Sequence, residues 1–389
     1  MPPGACGTAA PEPVSRARPR LRAAPDVLKE CTRLSGFPFP DCAGSGSRGG
    51  SKAYLGESVE PSDPLQLITS LSNGYWVPRC LHVIAELGVA DHIADEVVPV
   101  TDLARALSVH PEALARVLRA LASRGVFEHV AGGFRHTPAS RLLRSDDPRS
   151  QRGLARMMGM PVHWAAYGAL EYSVRTGHSA LSHLTSGGTF EYFASHPQES
   201  RLFDEAMTAK SHEQIAAVLA AYDFKGFGRI ADIGGGRGHL LRAVLAAAPQ
   251  AHGVLFDLPH VVGTLEGGTS DRLTLQAGSF FRDPLPVCDA YLLMSVLHDW
   301  GDTQAVQILE AVRRAAPVRA TLLVLELVVP EEPGPHPAKL LDIEMLVMTQ
   351  GGRERSRAEF ERLFAQSGLR LSRIVPTSGA TMILEGLAI

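Results

Sequence analysis

Hydrophobic residues recur in two different patterns along this chain, and the change of pattern divides it. From Pro64 onward, apolar positions follow the spacing of a helix, as in residues 65–71 and 81–87. From Ile230 onward, short uninterrupted apolar runs alternate with helical segments. Such runs are typical of strands in a parallel sheet that is covered on both faces. The pattern therefore predicts a helical N-terminal unit followed by an α/β domain.

The first unit, residues 63–145, is predicted to form several helices followed by a glycine-containing hairpin. Gly88 is expected to end one helix, Thr101 to cap the next and Pro111 to begin the last. The predicted elements are helices over residues 65–71, 81–87, 102–107 and 112–123 and strands over residues 126–130 and 134–137. Helices followed by a hairpin indicate a winged-helix unit.

A winged helix raises the alternative of a DNA-binding regulator, which would place the 112–123 helix in the major groove. That helix carries Arg116 and Arg119. Its apolar residues, however, are needed for packing, and the net charge of −3 provides no basic field for phosphates. DNA binding is therefore the disfavoured interpretation, and no nucleic-acid partner is expected.

Residues 146–220 form a predicted helical linker that is rich in methionine and aromatic residues. Most such residues form core, but surfaces of this composition also make adaptable pockets for flat apolar ligands. A large hydrophobic substrate is therefore expected. The residues assigned to its pocket are Met157, His163, Trp164, Tyr167, Phe190 and Met207 and, from later in the chain, Asp299 and Met345.

In residues 221–389, strands and helices alternate as in a doubly wound α/β fold. The predicted strands are 230–233, 252–257, 273–277, 289–294 and 320–327, with helices over 238–248 and 303–315. Ligands of such sheets bind beyond the carboxyl ends of the strands. A glycine-rich turn falls at one of these ends, and so do Asp257, Ser279, His298 and Glu326. This part of the chain is therefore expected to carry the active site.

The glycine-rich turn follows the first of these strands. Gly234, Gly236 and Gly238 stand at alternate positions after Asp232. Glycine lets the backbone adopt positive φ and lets a ligand lie against bare backbone, and the turn leads into a helix N-terminus. A dinucleotide fingerprint would need its third glycine at position 239, where the chain has His239. The spacing therefore favours a nucleotide-type cofactor other than a dinucleotide.

Composition limits the classes of protein to which this chain can belong. Hydrophobic residues make up 45% and charged residues 20% of its 389 residues, as in a globular protein, and no apolar run is long enough to span a membrane. The five cysteines have neither disulfide-like nor zinc-like spacing, which favours a reducing, cytoplasmic compartment and no metal site. Residues 1–62, rich in proline and glycine, are expected to be a disordered tail or an over-extended start of the reading frame.

Asp257 is the candidate that contacts the sugar of such a cofactor. It ends the second strand, where a carboxylate can accept hydrogen bonds from both hydroxyls of a ribose. The alternative is a helix N-cap before Leu258 and Pro259.

His298 is the candidate base, held at the same edge of the sheet. Its ordinary pKa, near 6.5, would let it accept a proton at neutral pH. Glu326 ends an apolar strand, where a charge is costly unless it is used, and Glu354 lies in a Gly-Gly-Arg-Glu-Arg segment. A carboxylate on one imidazole nitrogen would orient the ring and leave the other nitrogen to accept a proton. These three residues are therefore the predicted catalytic group.

Together these motifs resemble the S-adenosylmethionine (SAM)-dependent O-methyltransferases of the plant caffeate, acetylserotonin and bacterial polyketide-tailoring type, over about residues 64–389. The matching segments are 190–197, 206–207, 232–238, 256–260, 297–300 and 351–355. The resemblance implies a Rossmann-like SAM-binding domain, His298 as general base between Glu326 and Glu354, and a winged helix that serves homodimerisation. The cofactor site that it implies consists of Asp232, Gly234, Gly236, Gly238, Asp257, Leu258, Ser279, Phe280 and Met294.

Two positions depart from that family. Relatives usually carry aspartate where this chain has Ser279, and often lysine where it has Met294. Both changes remove charge from the adenine end of the implied site, and the two missing charges are opposite in sign. SAM is still expected to bind.

The resemblance and the residues together predict direct transfer of a methyl group from SAM to a hydroxyl group. A phenol, with a pKa near 10, is within reach of a histidine base, whereas an aliphatic alcohol is much harder to deprotonate. A phenolic or enolic small molecule is therefore the expected acceptor. Two alternatives stay open: a relative that uses the SAM site for hydroxylation, decarboxylation or pericyclic chemistry, and a non-catalytic dimeric binding protein.

Overall fold

The computed structural model describes residues 63–185, 187–263, 265 and 271–388. The predicted tail, residues 1–62, lies outside these described residues. Within them, no helix is both long enough and apolar enough to cross a membrane.

The N-terminal unit consists of helices and a two-stranded hairpin, as predicted. Its elements are α1 (Pro64–Ser72), α2 (Trp76–Leu87), a 3-10 turn (Val89–His92), α3 (Val100–Leu107), α4 (Pro111–Ala122), β1 (Phe127–Val130) and β2 (Gly133–His136). β1 and β2 pair antiparallel, with Phe127 opposite His136. The apolar faces of α2, α3 and α4 and the hairpin share one buried core, which accounts for the helical spacing of their hydrophobic residues.

Two helix starts in this unit differ from the prediction. α2 begins at Trp76 rather than at Leu81. The predicted cap at Thr101 is wrong, because the carbonyl of Pro99 already accepts the first hydrogen bonds of α3 and Thr101 lies within its first turn. Proline fixes φ near the extended conformation that a residue before a helix needs, so Pro99 takes the capping position. Gly88 ends α2 at a φ of 68°, as predicted.

The linker is largely helical, in agreement with its composition. It contains α5 (Pro138–Arg141), α6 (Arg152–Met158), α7 (Pro161–Gly168), α8 (Leu170–Thr176), α9 (Ala180–Leu184), α10 (Thr189–Ser195) and α11 (Pro197–Ala221). α11 packs against both α6 and α12 of the following domain. The linker is therefore joined to the sheet domain through α11.

The C-terminal part forms a mainly parallel sheet with helices on both faces. Its elements are β3 (Arg229–Ile233), α12 (His239–Ala247), β4 (His252–Asp257), α13 (Pro259–Val262), β5 (Leu273–Ala277), β6 (Ala290–Met294), a 3-10 turn (Leu297–Asp299), α14 (Asp302–Ala315), β7 (Thr321–Val329), α15 (Pro337–Met348), β8 (Arg355–Ser356), α16 (Arg357–Gln366), β9 (Leu369–Pro376) and β10 (Thr381–Ala388). The strand order is β5-β4-β3-β6-β7-β10-β9, and β8 pairs with β7. β10 alone among the ordered strands runs antiparallel to both of its neighbours, β7 and β9.

The strand order explains where ligands can bind. The chain moves outward from β3 to β5 and then returns to place β6 beside β3. Open α/β sheets bind their ligands at such a reversal. Side chains of β3 are buried on both faces, since Ile230 joins one core cluster while Ala231 and Ile233 join the other. The glycine turn after β3, Asp257 at the end of β4, His298 after β6 and Glu326 near the end of β7 consequently gather at one edge of the sheet.

Candidate active site

The glycine turn at the end of β3 has the backbone that the sequence predicts. Gly234, Gly236 and Gly238 adopt φ values of 69°, 56° and 75°, in the region that favours glycine. Gly238 precedes the first turn of α12. A Cβ at Gly235 would lie 2.5 Å from the carboxyl carbon of Asp232, so this position also excludes a side chain. The turn therefore offers bare backbone and a helix N-terminus to a ligand.

Asp257 holds the turn from the neighbouring strand. Its Oδ2 accepts a hydrogen bond of 2.7 Å from the backbone N–H of Gly236, and its Oδ1 accepts one of 2.7 Å from Leu258. Burial raises the pKa of Asp257, while these two N–H groups act in the opposite direction. The residue before α13 is Leu258, so Asp257 is not the N-cap of that helix.

Asp232 lies beneath the turn and is almost completely buried. Burial, and then the charge of Asp257, raise its pKa to about 7. Its Oδ2 has no hydrogen-bond partner among the described residues. A buried carboxyl oxygen without a partner, next to bare backbone and a second carboxylate, fits a cofactor that carries amino and hydroxyl groups, as SAM does.

Aromatic rings cover the side of the turn that faces β5 and β6. The ring of Phe280 lies 3.8 Å from the place that a Cβ on Gly234 would occupy. Phe280 and Phe281 both pack edge-on against Trp300, with centroid distances of 5.9 and 4.8 Å. The backbone N–H of Ser279 donates to Asp283, and its Oγ accepts from Phe281 at 3.4 Å. Together with Met294 at the end of β6, these residues place aromatic and uncharged side chains on this side of the glycine turn.

His298 lies in the 3-10 turn after β6 and is only 7% exposed. Its Nδ1 is 2.7 Å from Oε1 of Glu354, and its Nε2 is 3.7 Å from Oδ1 of Asp299. Burial alone would lower the pKa of His298, but the charges of Glu326, Asp299 and Glu354 outweigh it and raise the pKa to about 9. The expectation of an ordinary value near 6.5 is therefore wrong, because three carboxylates surround one imidazole.

Glu326 binds mainly the backbone of the loop that carries His298. Its Oε1 accepts hydrogen bonds from the N–H groups of Val296, Leu297 and His298, at 3.1, 2.9 and 3.4 Å. Its Oε2 lies 3.5 Å from Nδ1 of the histidine, farther than the Glu354 oxygen. Glu354 is thus the direct partner of the ring, while Glu326 fixes the loop.

Arg355 also holds the loop of His298, and the sequence analysis assigned this residue no role. Its side chain is 1% exposed. Its guanidinium donates to the carbonyls of Leu297 and Trp300, at 2.9 and 2.7 Å, and to the carboxylate of Asp302. Because Arg355 follows Glu354 directly, it ties the segment that carries Glu354 to the turn that carries His298.

The predicted substrate-pocket residues fall into several groups. Met157 and Met207 belong to one apolar cluster between α6, α10 and α11. Phe190 stacks on Trp300, with ring centroids 6.0 Å apart, so it reaches the loop of His298. Met345 is buried on α15.

The three predicted residues of α7 point in two directions. His163 and Tyr167 both bind Glu344 of α15, at 2.6 Å each. Trp164 instead contacts α2, where the guanidinium of Arg79 lies 5.0 Å from its ring centre. Glu344 is a polar residue of this region that the sequence analysis missed, because its partners lie 181 and 177 residues away.

The three residues of the predicted catalytic group also have the geometry of a cation site. His298, Glu326 and Glu354 each offer one ligand atom, and these atoms lie within 4.8 Å of one another. Both glutamates keep one oxygen without a hydrogen-bond partner in the described residues. A histidine with two carboxylates is a donor set that divalent metals accept.

Comparisons with known proteins agree with this geometry. Residues 167–370 match the model of an O-methyltransferase domain, and residues 69–146 match an O-methyltransferase dimerisation domain. The chain is 41% identical over 327 residues to the phenazine O-methyltransferase of Lysobacter antibioticus, covering 82% of this chain and 94% of that relative. It is 35% identical over 328 residues to the mitomycin biosynthesis 6-O-methyltransferase of Streptomyces lavendulae, covering 82% and 93%.

One similar solved structure contains bound ligands. The O-methyltransferase of neocarzinostatin biosynthesis, crystallised with SAM and 2-hydroxy-5-methyl naphthoic acid, superposes with a TM-score of 0.70 at 32% identity, covering 85% of this chain and 100% of that one. The winged-helix unit corresponds to the family's dimerisation domain, as the resemblance implied. The chain therefore belongs to the O-methyltransferase family and is a SAM-dependent methyltransferase with a Rossmann-like catalytic domain.

Proposed function

We propose that this enzyme transfers the methyl group of SAM to a phenolic or enolic hydroxyl group of an aromatic or polyketide-like small molecule, with His298 as the general base. The observation that carries the proposal is the buried hydrogen bond of 2.7 Å between His298 and Glu354 at the ligand-binding edge of the sheet. Relatives support the acceptor class, since they are named for phenazine, mitomycin and dihydroxynaphthoate O-methylation.

The hydrogen bonds of His298 assign a task to each ring nitrogen. With Nδ1–H donated to Glu354, Nε2 is left as the proton acceptor. Nε2 would accept the hydroxyl proton of the acceptor as the new O–C bond forms and the sulfur–methyl bond breaks, with SAH as the leaving product. Glu326 and Arg355 keep the loop in place. The positive charge that bound SAM would bring to this site would lower the pKa of His298 and so favour its neutral form.

The residues at the glycine turn are those that would hold SAM, whose sulfonium supplies an already electrophilic methyl group. Gly234, Gly236 and Gly238 offer backbone, and Asp257 and Asp232 offer carboxylates to hydroxyl and amino groups. Calorimetric titration with SAM and with its demethylated product, SAH, tests this site directly. We expect both to bind despite the neutral Ser279 and Met294; no heat from either would contradict the cofactor site.

The proposal also assigns a role to each segment of the chain and includes a homodimer. Residues 63–145 serve dimerisation, 146–220 link and line the acceptor pocket, and 221–389 catalyse. Three apolar side chains of α1 face solvent, Leu65, Ile68 and Leu71, at 73%, 63% and 69% exposure. A second copy of the chain would bury such a surface, so a homodimer is expected in light-scattering measurements.

Methyl-labelled SAM tests the reaction itself. Purified enzyme is incubated with it and with a panel of hydroxyarenes, their methyl ethers and the matching arylamines. We expect label in the hydroxyarenes and none in the methyl ethers. Label in the amines alone would contradict an oxygen acceptor. One relative is named an 8-amino-8-demethylriboflavin N,N-dimethyltransferase, so nitrogen is the acceptor to compare. A changed acceptor without label would favour the hydroxylation, decarboxylation or pericyclic alternative.

A further inference from the structure

A second polar cluster, formed by Glu344, His163 and Tyr167, lies between α15 and α7. Nε2 of His163 is 2.6 Å from Oε1 of Glu344, and the hydroxyl of Tyr167 donates to Oε2 at 2.6 Å. His163 and Tyr167 stand four residues apart on α7, so they share one face of that helix. Each carboxylate oxygen of Glu344 therefore receives one hydrogen bond, and each keeps a further lone pair.

The carboxylate of Glu344 remains ionised although it is largely buried. Its side chain is 14% exposed. Burial alone would raise the pKa of Glu344, but the hydrogen bonds from His163 and Tyr167 and the charge of Lys210 lower it below its usual range. An ionised, partly desolvated carboxylate is a strong acceptor for any further donor that reaches it.

One further atom of the cluster lacks a partner among the described residues. In the tautomer that donates from Nε2, Nδ1 of His163 is an acceptor, and this buried atom has no hydrogen bond within the part of the chain that the structure describes. Buried acceptors of this kind are seldom left empty in functional proteins. A cluster that only clamped α7 to α15 would not require this spare accepting capacity.

α11 and α15 connect the cluster with the surroundings of the catalytic histidine. The charge of Lys210 on α11 acts to lower the pKa of both Glu344 and Asp299. Asp299 in turn is 3.7 Å from Nε2 of His298. α15 also contacts the catalytic group, since Asp342 accepts a hydrogen bond of 2.9 Å from the backbone N–H of Glu354. α15 therefore carries Glu344 and also a residue that binds the backbone of Glu354, and the charge of Lys210 acts on the carboxylates at both places.

We propose that Glu344, held by His163 and Tyr167, determines acceptor specificity by binding a second O–H or N–H group of the substrate. This inference rests on the proposed methyl transfer. The acceptor class that follows is an arene with two polar substituents: the hydroxyl that is methylated beside His298, and a further hydroxyl or amino group that donates to Glu344. Dihydroxyarenes and aminophenols belong to this class, whereas simple monophenols do not.

Binding to the SAH-loaded full-length protein tests the proposal without requiring turnover. The probes are matched pairs of one and two rings that differ only in the second donor: 3-amino-4-hydroxybenzoate against 4-hydroxybenzoate, and 1,4-dihydroxy-2-naphthoate against 1-hydroxy-2-naphthoate. For the better-binding pair, we expect the member with the donor to bind about tenfold or more tightly, as for a hydrogen bond to a charged group. In Glu344→Met that preference should fall to about one, with the Kd of the monophenol unchanged.

The controls separate specificity from folding and from catalysis. Glu171→Gln changes an exposed glutamate that pairs with Arg175 on α8 and should keep the full preference. If Glu344→Met fails to bind SAH, Glu344→Gln replaces it in the experiment, because glutamine keeps the shape of the side chain. The expected result is the same: the preference for the member with the donor should be lost. A wild-type protein without preference in either pair, or a preference that survives in the Glu344 variants, would overturn the proposal. A preference that the wild-type protein shows and the Glu344 variants lose, without any label transfer by the wild type, would refute the methyl-transfer function alone.

Discussion

His298 and Glu354 are 56 residues apart in the chain, yet Nδ1 of the imidazole lies 2.7 Å from Oε1 of the carboxylate, and both side chains are buried. The contact exists because the turn after β6 and the segment before β8 meet at the same edge of the sheet. It fixes the ring orientation and stabilises the protonated form. Both the protonation and the proposed reactivity of His298 therefore depend on Glu354.

Glu354→Gln should lower the pKa of His298, which is about 9 in the cofactor-free protein. The substitution removes one of the carboxylates that favour the imidazolium, while burial continues to favour the neutral ring. NMR titration of labelled histidine, assigned by the signal lost in His298→Ala, should give a midpoint lower by about one pKa unit or more. Glu361→Gln, in an exposed pair with Arg357, should leave the midpoint where it is. Equal midpoints for wild type and Glu354→Gln would contradict the coupling.

Arg355→Met should reduce the free energy of unfolding by about 2–5 kcal/mol, because the buried carbonyls of Leu297 and Trp300 lose their donors. Urea denaturation measures the change. Arg357→Met, two residues away on the exposed face of α16, should stay within about 0.5 kcal/mol of wild type. Turnover of Arg355→Met should also fall more than its affinity for SAM. A variant as stable and as active as Arg357→Met would show that Arg355 does not position the loop.

Asp232 should make the stability of the cofactor-free protein depend on pH. Its pKa is raised from 3.8 to about 7, so the folded state holds this proton more tightly than the unfolded chain does. The contribution of protonated Asp232 to the free energy of unfolding is complete below about pH 4 and is lost as the pH rises through about 7. Asp232→Asn should consequently gain stability relative to wild type between pH 4.5 and pH 8, by at least about 1.4 kcal/mol, the equivalent of one pKa unit. A constant difference across that range would contradict the assignment.

Chelators should not affect turnover. The Nδ1 atom of His298 is already bonded to Glu354, and a sulfonium-bound methyl group needs no Lewis acid. Enzyme dialysed against EDTA should therefore match untreated enzyme in label transfer. Activity lost on dialysis and restored by a single divalent metal would instead assign the His298, Glu326 and Glu354 cluster to a metal.

The sequence predicted those parts of the site that local patterns encode. The glycine turn, Asp257 and His298 each follow an apolar strand, and the sheet brings them to one edge as expected. The raised pKa of His298 and the roles of Arg355 and Glu344 could not be read in this way, because each arises between segments far apart in the chain. The predicted Thr101 cap failed for a local reason, since the adjoining Pro99 competes for the same position.

The most direct test of the central claim is the turnover of His298→Ala, measured together with its affinity for SAM. Loss of a general base should reduce turnover by about 10²–10⁴-fold, while the Kd for SAM stays within about threefold, because the glycine turn is unchanged. His178→Ala, at an exposed histidine on the surface, should behave as wild type. Turnover of His298→Ala equal to that of wild type would contradict the general-base role.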